Sequence, residues 1–402
     1  MDLDFSAQEL AFRDEVRRFL ADNLPGPLKA GMAASPSVFV EPDIGQQWQA
    51  ILNRKGWLGY QWPVVVGGTG WSPVQRYIFE KECALAGAPG LTVLALKLMA
   101  PVVIAFGTAE QKARMLPPIL AGDDYYCQGF SEPGSGSDLA SLNTRGSLRD
   151  DHYLVNGSKM WTTHAHHANK MFALVRTQTE TKKQAGISFL VLDMDQPGIS
   201  IRPILTLAGD HEVNQVFFDN AVARVSDRIG GDGDGWTIAK FLLENERGGS
   251  CHAPKLLADI ASVEAAVAGE PDGFGGVLGD EREWKRRIAK LKLEAQALEI
   301  IELRILADIA KGRPPGPQTS LVKLLSSNLR QAVDLAWMDG FGDAGLQLET
   351  ARPLYGNSAP EPIRTRAAQI AGPRYLNSRA WTIFGGSNEV QAGIIAKTVL
   401  GL

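Results

Sequence analysis

The hydrophobic period of this chain of 402 residues changes twice, and this alternation restricts the folds that it can adopt. Up to about residue 122, apolar residues recur at the three- and four-residue spacing of amphipathic helices. Short runs of β-branched and aromatic residues, separated by turns such as Asn156-Gly157, then continue until a helical period returns after Gly235. We therefore predict an α+β protein with three domains. They are an N-terminal helical domain (1–122), a middle domain of antiparallel strands in a barrel or sandwich (123–229), and a C-terminal helical domain (230–402).

Individual elements can be assigned from the same two periods. The helices that we predict have apolar residues on one face and Gly or Pro near their ends. They are a first helix from Ser6 that Pro25-Gly26-Pro27 ends, helices over 44–55, 75–86, 109–120 and 319–338, and a final helix that Ser387 or Asn388 opens. The predicted strands cover 153–155, 171–175, 187–192 and 215–218. A heptad-like seam runs from Trp284 to Ile309, with Glu302 as its polar interruption. Such a long seam needs a partner helix from a bundle or from another subunit.

The composition argues against several classes of function. A net charge of -4 gives no reason to expect nucleic acid or an anionic membrane as a partner. Cys83, Cys127 and Cys251 form no CxxC pair, which is typical of a reducing compartment and argues against a zinc site. No apolar stretch is long enough to span a bilayer, and the N-terminus is charged from Asp2 onward. We expect a cytoplasmic protein with no membrane partner and no metal.

Four segments carry residue types that are associated with ligand binding. Residues 127–138 (CQGFSEPGSGSD) combine glycines, which allow close backbone approach, with hydroxyl groups that can bind a pyrophosphate. Read alone, this segment could equally be a surface loop. Residues 156–163 (NGSKMWTT) present a tryptophan and two threonines after a hairpin turn, which alone also fits a core tryptophan. The other two segments are 243–249 (LENERGG) and 383–391 (IFGGSNEVQ).

Together, in this order and at about this spacing, the four segments resemble the acyl-CoA dehydrogenase family. The resemblance covers essentially the whole chain, and within the family it is greatest to the large subunit of pimeloyl-CoA dehydrogenase. It implies a C-terminal four-helix bundle, FAD as the cofactor and oxidation of a coenzyme A thioester. Members of the family remove an α-proton while the β-hydrogen leaves as hydride to flavin N5.

The resemblance also implies roles for matching positions. The glycine-rich segment and the tryptophan segment should line the flavin and its pyrophosphate, and the last helix should touch the cofactor. The implied cofactor-binding residues are Phe130, Ser131, Gly136, Ser137, Trp161, Thr163, Ser387 and Glu389. The implied substrate-binding residues are Arg247 and Gly386.

The catalytic base departs from the pattern of many family members. They carry it on the residue before the glycine of the C-terminal motif, which here is Gly385 and has no side chain. The backbone N–H of Gly385 can still donate to the thioester oxygen. Other relatives carry the base on the helix after the β-domain, at the position that matches Glu246. We predict Glu246 as the base, because a buried carboxylate is a better proton acceptor; alternatively, it pairs with Arg247 or caps a helix.

Two further features concern the pocket and the assembly. Gly248, Gly249 and Pro254 disfavour a continuous helix, so we predict a bend or break that widens the pocket for a bulky acyl group. The Arg-x-x-Phe-Gly motif, with which family homotetramers contact a neighbour's FAD, is missing at 278–284. This favours a hetero-oligomer with a related smaller subunit. The alternative is a homo-oligomer in which another residue, such as Arg282, makes the contact.

Three functions remain open from the sequence. The first is a dehydrogenase of an acyl-CoA substrate that passes electrons to an electron-transfer flavoprotein-like acceptor. The second is a flavin oxidase or monooxygenase on the same fold, and the third is a non-catalytic subunit that completes a partner's FAD site. Fold alone does not choose among them. The acyl group could be dicarboxyl, branched or bulky, and the sequence singles out no basic residue for a distal carboxylate.

Overall fold

The chain folds as helices, then a sheet, then helices, in the order that the hydrophobic periods predict. The computed structural model describes residues 5–179, 182–248, 251–313, 316–348 and 365–402, and gives only the backbone of residues 245–248. No helix within these ranges is both long enough and apolar enough to cross a membrane. The described α-helices are α1 (Ala7–Asn23), α2 (Gly26–Ala34), α3 (Pro42–Lys55), α4 (Pro73–Ala86), α5 (Ala100–Phe106), α6 (Ala109–Ala121), α7 (Gly235–Gly248), α8 (Ala253–Val267), α9 (Arg282–Ala310), α10 (Gln318–Gly340), α11 (Arg366–Asn377) and α12 (Asn388–Ile395).

The N-terminal helices begin where local side chains satisfy free backbone donors. Ser6, Ser72 and Thr108 each open a helix with a reciprocal capping box, in which the cap hydroxyl accepts from a backbone N–H three residues on. Helix α2 was not predicted, because its Pro-Gly-Pro start was interpreted as a helix terminator. Proline is well tolerated in the first helical turn, where its missing N–H has no partner to lose.

The middle of the chain forms one described sheet. Its strands are β1 (Tyr126–Gly129), β2 (Arg145–Arg149), β3 (His152–Thr163), β4 (Lys170–Arg176), β5 (Ile187–Asp193), β6 (Ile199–Leu205) and β7 (His211–Arg224). Their order is β1-β4-β2-β3-β7-β6, with β5 paired to β4. Four pairings are antiparallel, as predicted, but β1 runs parallel to β4 and β2 meets β4 at one parallel contact. The intervening β2–β3 hairpin supplies the long connection that a parallel pair needs.

The C-terminal helices pack around the predicted seam of α9. Trp284, Ile288, Leu291, Ala295, Leu298 and Ile305 are all buried there, against apolar residues of α8 and α10. Glu302 is buried in the same seam although its side chain is polar. A buried carboxyl group needs hydrogen-bond partners, and those of Glu302 lie at the start of α8.

The predicted interruption after Glu246 is present. Helix α7 ends at Gly248, and α8 begins at Ala253 with Pro254 in its first turn. Because two separate helices cover 235–267, this stretch is not one straight helix. Residues 249 and 250 lie outside the described residues.

Candidate functional site

A cavity of about 350 Å³ lies where the three parts of the chain meet. Its wall includes Glu80 from α4, Thr163 from β3 and Trp381 from the segment before α12. The volume falls in the range of small-molecule sites, which are concave and commonly lie between domains. Among the predicted site residues whose side chains the structure describes, Thr163 is the one that lines this cavity.

Trp161 has an unusual backbone and an exposed ring. It lies at an irregularity in the β3–β7 pairing, between Lys159 and Thr162, and its φ is 61°. Left-handed φ is unfavourable for a residue with a bulky side chain. Its side chain is 58% exposed although it belongs to a strand of a packed sheet. Strain of this kind is concentrated at functional positions, and the ligand role of Trp161 stays a prediction.

The glycine-rich segment is held by a buried ion pair that the sequence reading missed. Lys159 Nζ lies 2.7 Å from Glu132 Oε1 and also donates to the carbonyl of Phe130 at 3.2 Å. Glu132 accepts the backbone N–H groups of Asn143 and Thr144 as well. Burial lowers the pKa of Lys159 to about 8, and the charge of Glu132 acts in the opposite direction. The pair holds the segment against β3 at Phe130 and Glu132.

The predicted cofactor residues of this segment fall into two environments. The ring of Phe130 is buried and packs edge-on against Phe172 and Phe189, so its side chain belongs to the core. Gly136 and Ser137 are exposed, and a Cβ atom added at Gly136 would meet no atom within 4 Å. Ser131 is partly buried, and its carbonyl accepts the N–H of Met160 at 2.8 Å. The loop thus offers open backbone at 136–137 next to the tryptophan strand.

The C-terminal segment forms a tight turn at two adjacent glycines. Gly385 and Gly386 have φ values of 65° and 83°, and the amide of Gln391 donates to both of their carbonyls. A Cβ atom at Gly386 would lie 2.5 Å from that amide nitrogen. Ser387 caps α12 by accepting the N–H of Val390 at 3.4 Å, and Glu389 is exposed in the first turn. The turn requires glycine and presents backbone groups rather than a carboxylate.

Groups in the tryptophan segment and the C-terminal segment fit the flavin that the resemblance implies. Two buried side-chain atoms in these segments, Thr162 Oγ1 and Gln391 Oε1, have no hydrogen-bond partner among the described residues. Buried polar groups are normally satisfied, so such atoms indicate an absent ligand or water. Trp161 offers an exposed aromatic face, and Thr163 lines the cavity. An exposed aromatic face beside unpaired polar atoms suits a planar ring with polar edges.

The predicted base lies at the end of α7. The backbone of Glu246 and Arg247 is helical, but both side chains lie outside the described residues. The cavity wall continues just beyond them, at Cys251 and His252. The first described residues after α7 thus line the cavity, and the role of Glu246 stays a prediction.

Two carboxyl groups that sequence reasoning did not assign support the chain after this break. The backbone N–H of Cys251 donates to Glu80 at 3.1 Å, and those of His252 and Ala253 donate to Glu302 at 2.7 and 3.2 Å. These are the donors that the first turn of a helix leaves without partners. Burial raises the pKa of Glu302 to about 8, although the two accepted N–H groups act in the opposite direction. The polar interruption in the α9 seam was the only sequence signal for this contact.

The histidines after Trp161 form a packed cluster. His164 Nδ1 lies 2.7 Å from the Tyr125 hydroxyl, and burial lowers the pKa of His164 to about 3. His166 stacks on His211 with ring centroids 3.8 Å apart. Within the described ranges, no group of three or more His, Cys, Asp or Glu side chains could hold a metal ion. His164 is therefore neutral near pH 7, and it lines one side of the cavity.

The match to family models defines the class of protein. The N-terminal, middle and C-terminal domain models of acyl-CoA dehydrogenase match residues 6–123, 127–221 and 233–400. The chain belongs to the acyl-CoA dehydrogenase family, whose members are FAD-binding flavoproteins, and it is an oxidoreductase of that class.

Individual relatives share the full length of the chain. It is 36% identical to acyl-CoA dehydrogenase IpdE1 of Mycolicibacterium smegmatis and 34% identical to acyl-CoA dehydrogenase IpdE1 of Mycobacterium tuberculosis, with 97% of each chain covered. Among solved structures, it is similar to a chain of the ChsE4-ChsE5 complex from Mycobacterium tuberculosis, with a TM-score of 0.82 and 28% identity over 100% and 99% of the two chains. It is also similar to a chain of the Tcur3481-Tcur3483 steroid ACAD, with a TM-score of 0.83 and 27% identity over the same shares.

Proposed function

We propose that this chain catalyses FAD-dependent α,β-dehydrogenation of an acyl-CoA with a bulky acyl group, and that Glu246 is the base. The observation that carries the proposal is the Gly385-Gly386 turn. Both residues have left-handed φ values, and neither can supply a carboxylate. A base must then come from another element that reaches the cavity, and α7 carries Glu246 at its end.

The residues of the chain have separate tasks in this reaction. Glu246 takes the α-proton, and the backbone N–H of Gly385 donates to the thioester oxygen, where negative charge develops. Bound FAD would supply the acceptor for the β-hydrogen, which leaves the substrate as hydride. Trp161 and Thr163 orient the flavin ring, and Phe130, Ser131, Gly136 and Ser137 hold the ring edge and pyrophosphate. Ser387 and Glu389 contact the cofactor from α12, while Arg247 and Gly386 contact the thioester.

A bulky acyl group is supported by the break between α7 and α8. A continuous helix would keep Cys251 and His252 in a regular turn, whereas here they line the cavity with their N–H groups bound to Glu80 and Glu302. A structurally similar protein is described as a steroid ACAD. These two observations together favour a cyclic or branched acyl group over a straight short chain.

The assembly is proposed to be a hetero-oligomer with a related smaller subunit. The Arg-x-x-Phe-Gly motif of homotetramers is missing at 278–284, where a short 3-10 turn leads into α9 at Arg282. Two structurally similar chains come from complexes of two named components, ChsE4-ChsE5 and Tcur3481-Tcur3483. A homo-oligomer that uses Arg282 remains the alternative. The proposed electron acceptor is an electron-transfer flavoprotein-like protein rather than oxygen.

The decisive experiment is anaerobic flavin reduction. The chain is purified alone and together with a co-expressed smaller homologue, and the visible flavin absorbance is followed after adding cyclic, branched or straight-chain acyl-CoA esters. Bleaching that is faster with the bulky esters supports the proposal. A flavin-loaded protein that no acyl-CoA bleaches contradicts it, and oxygen uptake during turnover favours the oxidase instead.

A further inference from the structure

A cluster of five ionisable side chains forms the part of the cavity wall contributed by the C-terminal helices. Two lie on α8 and two on α10, each pair four residues apart and so on one helix face, and the fifth lies on α11. All five line the cavity. They are Lys255, Asp259, Arg330, Asp334 and Arg374.

Asp259 is the centre of this cluster. Its carboxylate lies 2.6 Å from Lys255 Nζ, accepts a hydrogen bond from Arg330 Nη1, and lies 3.8 Å from Arg374. The three cations hold the pKa of Asp259 far below its usual range in spite of its burial. Asp259 is therefore a fixed negative charge, and it is shared by three positive ones.

Asp334 compensates the remaining positive charge poorly. Its Oδ1 atom lies 3.5 Å from Arg374 Nε, is buried, and makes no hydrogen bond within the described residues. Burial raises the pKa of Asp334, so its ionised form is disfavoured there. Within the described part of the chain, no other carboxylate pairs with the three cations. Three cations thus face at most two anions in this part of the cavity wall.

The cations are accessible from the cavity. The side chain of Lys255 is 48% exposed although α8 is packed within the bundle, because Lys255 borders the cavity. The guanidinium of Arg330 lies over the ring of Trp381, 6.0 Å from its centroid, which helps to orient it. Within the described residues Arg330 donates to Asp259, and a guanidinium has five N–H donors in all. Donors and positive charge are both left for a ligand.

We propose that this cluster binds a carboxylate at the far end of the acyl group, so that the preferred substrates are CoA thioesters of acyl groups with a second, free carboxylate. The inference rests on the proposed function, since it places the acyl group in this cavity. An excess positive charge at a cavity wall that a bound acyl group would cover is costly unless an anion pairs with it, and a neutral acyl end would leave it unpaired. The phosphates of CoA lie at the opposite end of the thioester from the acyl group and do not compete for this place.

The sequence did not reveal this site because its cations are dispersed. Lys255, Arg330 and Arg374 lie on three helices that only the fold brings together. Each also has an acidic residue four positions away or across the bundle, which is typical of structural ion pairs. The excess of one cation becomes visible only when the five are counted together.

The test compares binding of ω-carboxyacyl-CoA esters with that of methyl-ended acyl-CoA esters of the same chain length. Equilibrium binding to the flavin-loaded protein, in its own oligomeric form, is measured by calorimetry for esters over a series of acyl chain lengths. A charge-assisted contact to two cations predicts that the carboxylate ester binds about tenfold or more tightly at the optimal length. Because binding is read directly, it decides the inference even if no ester reduces the flavin, an outcome that would count against the proposed function alone.

Two variants and a control test whether the preference for the carboxylate ester depends on the cations of the cluster. Lys255→Met and Arg330→Gln should each bring the ratio of the two affinities close to one, with affinity for the methyl-ended ester retained. Lys255→Met leaves Asp259 paired with Arg330 and Arg374. This variant is therefore expected to fold even if Arg330→Gln does not. Lys292→Met is the matched control, since Lys292 pairs with Glu264 at 2.6 Å and does not line the cavity. The inference is wrong if the unaltered protein binds the carboxylate and methyl-ended esters equally at every length. It is also wrong if folded Lys255→Met protein keeps the full preference for the carboxylate ester.

Discussion

Glu302, in the middle of α9, accepts the backbone N–H of His252 at 2.7 Å, immediately before α8 begins. The same carboxyl group accepts the N–H of Ala253. The interruption that opens the cavity beyond Glu246 is thus supported by a side chain fifty residues further along the chain. A helix break in a packed bundle is stable only when its backbone donors find such partners.

Removal of this acceptor should destabilise the fold. Glu302→Ala leaves two backbone N–H groups unpaired in the interior, and we expect a loss of about 2–4 kcal/mol in the free energy of unfolding. Glu302→Gln keeps one acceptor oxygen and should lose less. Chemical and thermal denaturation of the three proteins measures the difference. Equal stability of Glu302→Ala and the unaltered protein would contradict the capping role.

Glu302 should also give the stability a particular dependence on pH. Its pKa is raised to about 8 in the folded protein, whereas an unfolded glutamate titrates near about 4.3. The folded state therefore binds more protons between these values, so the free energy of unfolding falls as pH rises, by up to about 1.4 kcal/mol per pH unit. Denaturation from pH 5 to 8 should show a shallower fall in Glu302→Gln. Parallel curves for the two proteins would be inconsistent with this assignment.

The ion pair under the glycine-rich segment gives a third prediction. Lys159→Met leaves the buried carboxylate of Glu132 without its cation, and we expect a loss of about 3–5 kcal/mol together with weaker FAD retention. Lys183→Met is the control, because Lys183 pairs with Asp138 of the same segment and both side chains are 62% exposed. Melting temperature and bound flavin per chain measure both effects. A Lys183 variant as damaged as the Lys159 variant would show that the buried pair has no special role.

Substitution of Trp161 by glycine distinguishes the contribution of backbone strain to stability from the contribution of the aromatic ring to flavin reduction. Because its φ of 61° suits glycine, Trp161→Gly should leave the melting temperature of the flavin-free protein nearly unchanged. Loss of the aromatic face should slow flavin reduction by about tenfold or more, in line with the loss of a positioning contact. Thermal denaturation and stopped-flow reduction are compared. A variant that unfolds readily yet, when folded, reduces flavin normally would assign Trp161 to the core instead.

The sequence predicted the order of domains and most long elements because helical and strand periods are local. It missed β1 and β2, which are short, and β6, which lies at the sheet edge and contains Pro203, a residue that cannot donate to a strand ladder. It gave no account of Lys159, Glu80 or Glu302 as supports, because each pairs with a residue distant in the chain. The site segments were recognised through resemblance, whereas the cavity that joins them required the fold.

Anaerobic flavin reduction by Glu246→Gln tests the central claim most directly. Glu244→Gln is the matched control, since Glu244 is an exposed glutamate on the same helix two residues earlier. The account predicts that Glu246→Gln retains FAD and binds acyl-CoA but reduces flavin at least about 10²- to 10⁴-fold more slowly, while Glu244→Gln behaves like the unaltered protein. Flavin reduction at the normal rate in Glu246→Gln would contradict the assignment of the base and the mechanism built on it.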